Sequence, residues 1–72
     1  MTSAIGRNIR QIRQKAGYSQ VRLAELAHTS QSWISRIETG DENPTLERVM
    51  QIARALRVEL SDLLREPAEE AA

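Results

Sequence analysis

Residues 20–37 read QVRLAELAHTSQSWISRI, and this stretch decides the fold. It spells two short helices joined by a tight turn. Leu23, Ala24 and Ala27 fall on one stripe of the first helix, and Ile34 and Ile37 on one stripe of the second. Opposite that second stripe stand Gln31, Ser32, Ser35 and Arg36. A helix that buries isoleucines and offers amide, hydroxyl and guanidinium groups on its other side has the chemistry to touch base edges in a DNA groove.

The remaining segments extend the same helical pattern outward. Residues 4–16 carry Ile5, Ile9, Ile12 and Ala16 at helical spacing, and Gly17 supplies a stop. Ser19 and Ser30 precede the two central helices as caps, expected over residues 20–27 and 31–39 with Gly40 closing the latter. Asn43, Pro44 and Thr45 form a turn with Thr45 as cap of a fourth helix, whose expected apolar face is Leu46, Val49, Met50, Ala53 and Leu56. A fifth helix is expected over residues 60–65, with Leu60, Leu63 and Leu64. The prediction is therefore an all-α, five-helix bundle with a central helix-turn-helix. Residues 1–66 form one domain, and 67–72 an acidic disordered tail.

Composition excludes several classes. The 72 residues contain no cysteine, so neither a disulfide framework nor a thiolate metal site is expected. No apolar run is long enough to span a membrane, and the N-terminus lacks the apolar core of a signal peptide, so the expected location is the cytoplasm. His28 is the only histidine, which argues against a metal site or a catalytic triad; no enzyme and no cofactor is expected. The formal net charge is +0, but it is unevenly spread. Up to Arg36 the charged residues are Arg7, Arg10, Arg13, Lys15, Arg22 and Arg36 against Glu25 alone, whereas acids dominate the rest. A basic pole could meet phosphates while an acidic pole faces away.

The segments IGRNIRQIRQKAG, SQVRLAELA, SQSWISRIETG, NPTLERVMQIARAL and VELSDLL, in this order, resemble the phage-repressor and Cro type of helix-turn-helix domain, the xenobiotic-response-element family. The resemblance covers nearly the whole chain. It implies a lambda-repressor-like fold and a sequence-specific regulator of the repressor kind. It also implies base readout by Gln31, Ser32, Ser35 and Arg36. It implies phosphate contacts by Gln20 and Asn43 and an ion pair of Arg13 with Glu38 tying the first helix to the third; Ser30 and Thr39 add hydroxyl partners, and Arg10 and Arg22 are phosphate candidates from the basic pole. His28 stands where the family has glycine and must enter the left-handed region. Thr29 replaces a valine. Asp41 and Glu42 replace a basic loop and should repel phosphates. Trp33 either laps over the core edge or turns its indole toward phosphate or a partner.

One recognition helix covers few base pairs, so proteins of this type work as two-fold dimers on half-sites roughly 34 Å apart. Leu60, Leu63 and Leu64 are the expected homodimer interface, because so small a core should not satisfy them all. The expected partners are double-stranded DNA and a second copy. A reading from another class is an antitoxin or adaptor that uses the same helices to hold a partner protein.

Overall fold

A computed structural model describes residues 3–65, all helices and connecting turns. The tail expected at 67–72 lies outside the described residues. Five helices follow in order: α1 (Ser3–Lys15), α2 (Gln20–Leu26), α3 (Gln31–Thr39), α4 (Leu46–Leu56) and α5 (Leu60–Leu64). Each expected start is met by its cap. The Ser19 hydroxyl accepts from the Arg22 N–H at 3.0 Å, Ser30 from Trp33 at 3.1 Å and Thr45 from Arg48 at 3.2 Å. These bonds satisfy donors that the first turn leaves free.

The first four helices end in one way. The N–H of Tyr18 donates to the Arg13 carbonyl, Thr29 to Ala24, Asp41 to Arg36 and Val58 to Ala53. Each bond spans five residues and requires a left-handed residue just before its donor. Gly17 (φ 82°) and Gly40 (φ 90°) supply it twice; His28 (φ 59°) and Arg57 (φ 61°) supply it where no glycine stands. The reading of His28 is thus met, while Arg57 carried no comparable signal. We expect His28→Gly to relieve about 1 kcal/mol of left-handed strain. A freer unfolded chain offsets part of that, leaving Tm about 2–4 °C higher. A lower Tm on calorimetric melting would show that the imidazole's contacts outweigh the strain.

The core joins Ile9 of α1, Leu23, Ala24 and Ala27 of the α2 region, Ile34 and Ile37 of α3, Val49, Ile52, Ala53 and Leu56 of α4, and Leu63 of α5. Three expectations need correction. Ala16 is exposed, because the helix has already ended at Lys15. On α4, Leu46 and Met50 are 60% and 38% exposed, and Ile52 takes the buried place instead. Positions 49, 52, 53 and 56 trace a regular inward stripe, and Leu46 and Met50 lie one row outside it. Leu63 is 0% exposed, so the single chain satisfies it completely and it has no surface to offer a partner. Leu60 is partly buried and Leu64 is 44% exposed, which leaves these two of the three α5 leucines available to an interface.

Two polar features of α1 fix its position. Asn8 is buried, and its Nδ2 donates to the carbonyls of Leu63 (2.9 Å) and Arg65 (2.7 Å), satisfying the end of α5. Gly6 is buried where α1 crosses the end of α3. A β-carbon there would collide with the Ile37 carbonyl oxygen and lie 3.1 Å from that of Glu38.

Candidate nucleic-acid interface

The outer side of α3 carries the residues expected to read bases. Gln31, Ser32 and Arg36 are exposed and Ser35 is half-buried, while Ile34 and Ile37 anchor the other side at 0% and 2% exposure. The separation follows from helical periodicity alone. The row is accordingly open at the surface of the chain and backed by a rigid core.

Beneath its N-terminal end runs a hydrogen-bonded chain from the interior. Arg13 Nε donates to Glu38 Oε2 at 2.7 Å and Nη2 to Oε1 at 3.0 Å, a two-pronged pair with side chains only 10% and 2% exposed. The remaining arm of the guanidinium, Nη1, donates to the Tyr18 carbonyl at 2.9 Å. The expected ion pair between the first and third helices is therefore formed. Gln20 Nε2 also donates to Glu38 Oε1, at 3.0 Å. Gln20 Oε1 in turn accepts from Gln31 Nε2 at 3.2 Å. Gln20 and Gln31 are the first residues of α2 and α3, so the crossing of the two helices brings them together. The reading of Gln20 as a phosphate partner did not include this buttressing of Gln31. The relevant signal was their shared place at two helix starts, not their separation in sequence.

The C-terminal end of the row is held differently. Arg36 Nε donates to Glu42 Oε1 at 3.3 Å. The exposed Thr39 hydroxyl lies 3.1 Å from the Arg36 carbonyl and 3.3 Å from an Asp41 carboxylate oxygen, so its hydrogen is already engaged by neighbouring residues of the same chain. Of the other expected phosphate partners, Arg10 and Asn43 are exposed. Arg22 pairs with Glu25 at the surface (3.0 Å). The Ser30 oxygen accepts the capping bond, and its own O–H remains a donor.

Trp33 is half-buried and packs against the core, and the Arg48 guanidinium sits 4.7 Å from its ring centroid. The indole thus laps over the core edge and forms a platform for a cation. Arg48, beside Thr29 (3.5 Å), is an exposed cation that the sequence reading left out. Its link to Trp33 joins different helices and leaves no local pattern.

The helix-turn-helix family model HTH_3 matches residues 9–63. The control protein C.BamHI of Bacillus amyloliquefaciens is 40% identical over 60 residues, covering 82% of this chain and 74% of that protein. The restriction-modification controller C.AhdI from Aeromonas hydrophila superposes with a TM-score of 0.81 at 32% identity, covering 83% of this chain and 91% of that one. SinR, a master regulator for biofilm formation solved in complex with DNA, matches with a TM-score of 0.80 at 35% identity, covering 85% and 98%. The chain spans 33–54% of the length of several other repressors and regulators that it matches. Among the described residues no helix is long and apolar enough to cross a membrane. With most of its length matched by the family and its fold shared with solved regulators, the chain belongs to the helix-turn-helix family HTH_3, of the XRE type.

Proposed function

We propose that this chain is a sequence-specific DNA-binding transcriptional regulator of the repressor kind, acting as a homodimer on an inverted repeat. The observation that carries this reading is the exposed row on α3, held at its N-terminal end by Gln20, which is itself fixed by the buried Glu38 and Arg13. Gln31 can pair with adenine through both ends of its amide, and Arg36 can fork onto guanine O6 and N7. Ser32 and Ser35 add hydroxyl contacts. Arg10, Ser30, Asn43 and the second N–H of Gln20 serve the phosphates, with Arg48 added to that set. Similarity to a regulator solved on DNA supports the same mode of docking. Leu64 and Leu60 contribute to the contact between subunits, and Leu63 supports them from within.

Selection of bound duplexes from a random pool tests the proposal. The expected product is an inverted repeat with half-site centres roughly 34 Å apart. Arg36→Ala should abolish preference at one base pair in each half-site, a loss of about 1–3 kcal/mol of discrimination. Gln20→Ala should weaken binding and loosen the choice made by Gln31, because it removes a phosphate donor and a buttress together. A pool that emerges without enriched sequence would favour an adaptor that engages a protein through the same helices.

A further inference from the structure

The base-reading arginine does not stand free. Arg36 reaches Glu42 through Nε, and the two side chains are 51% and 38% exposed. The loop is brought back beside the last turn of α3 by the left-handed Gly40, with the Asp41 N–H bonded to the Arg36 carbonyl at 2.8 Å. The nearer acid, Asp41, is occupied by Thr39, which leaves Glu42 as the carboxylate facing the guanidinium. Nε lies on the inner edge of that group. Engaging it leaves the two terminal nitrogens, Nη1 and Nη2, as the pair that can fork onto a guanine.

We propose that Glu42 is a positioning residue for Arg36, which sharpens discrimination at one base pair while lowering affinity for DNA in general. The inference rests on the reading of Arg36 as a base reader. A long arginine side chain loses much rotamer freedom when it is ordered in a groove, and a second anchor on its inner edge removes part of that freedom beforehand. In water such an exposed pair contributes little. Within a groove, where water is displaced, the same pair is stronger. Glu42 also offsets the guanidinium charge, so Arg36 attracts any phosphate less while its terminal donors stay in place. Non-specific binding, which is mostly phosphate attraction, falls more than binding to the matched site.

The test uses the full chain and the duplex enriched from the random pool, each base pair of the half-site changed in turn, and a random duplex for reference. Glu42→Ala, which removes both the charge and the acceptor of Arg36 Nε, should raise affinity for the random duplex about three- to tenfold at low salt. The same variant should lower discrimination at the base pair read by Arg36 by about three- to tenfold. Asp41→Asn removes the same charge without touching the guanidinium. It should raise affinity for all duplexes alike and keep every base preference. If Glu42→Ala behaves as Asp41→Asn does, with discrimination intact, Glu42 is only a repulsive charge and the inference is overturned. Arg36→Ala separates this failure from a deeper one. If Arg36→Ala retains the full preference, Arg36 is not a base reader and both readings fall; if it loses the preference, the base-reader reading stands whatever Glu42 does.

Discussion

Glu38→Ala is expected to destabilise the domain by about 3–5 kcal/mol, because it strands a buried guanidinium. A domain of this size has a total stability of only about 5–15 kcal/mol, so the variant should melt more than about 10 °C lower. Arg13 would keep a single protein partner, the Tyr18 carbonyl, for its charge. The same substitution removes the acceptor of Gln20 Nε2 and so frees Gln20 to release Gln31. DNA discrimination should therefore decline even at temperatures where the variant remains folded. The double variant Arg13→Met, Glu38→Met separates the two effects. Replacing both charges by apolar side chains of similar size should recover most of the stability, since no charge is left unpaired. It restores no acceptor for Gln20, so discrimination should stay impaired. A melting temperature unchanged in Glu38→Ala would contradict the buried pair. Recovery of discrimination in the double variant would contradict the role of Glu38 in holding the recognition row.

Gly6→Ala is the second large effect expected. The added methyl meets a backbone carbonyl, which cannot move aside by changing rotamer. Overpacking of this kind costs about 1–3 kcal/mol, and more where the obstacle is rigid. Alanine's better helix propensity returns about 1 kcal/mol of that. A net loss of roughly 2 kcal/mol or more in urea denaturation is expected, with α1 displaced from α3. Arg13 and Glu38 span the same helix pair, so displacement also stretches their ion pair. The effects of Gly6→Ala and Glu38→Ala should then fall short of adding. Gly17→Ala provides the contrast, because a β-carbon there meets nothing within 4 Å and the cost comes from the left-handed backbone alone. An unchanged urea midpoint in Gly6→Ala would show that the two helices can separate slightly without loss.

The polar row of α3 was legible because helix periodicity sorts Gln31, Ser32, Ser35 and Arg36 away from Ile34 and Ile37 whatever else the chain does. The partners of that row were not. Asp41 and Glu42 read in the sequence only as acids that repel phosphate, and the structure turns one toward Thr39 and the other toward Arg36. Gln20 read as a contact to the DNA backbone, and the structure places it between Glu38 and Gln31. The leucines of α5 read as a set, yet Leu63 is enclosed by its own chain and Leu64 is not.

By itself the sequence determined where the helices begin and how most of them end. A cap is a contact among four or five consecutive residues, as at Ser19, Ser30 and Thr45, so it is written locally. The sequence also determined which faces of α2 and α3 are apolar, because that depends only on spacing. Only the tertiary structure decided that Gly6 marks a close helix crossing, that Ile52 rather than Met50 completes the core, and that Arg57 takes a left-handed turn without glycine. Each of these depends on the rotation and depth at which one helix meets another. Those quantities are set by the packing of the whole core at once, and no short stretch of chain contains them.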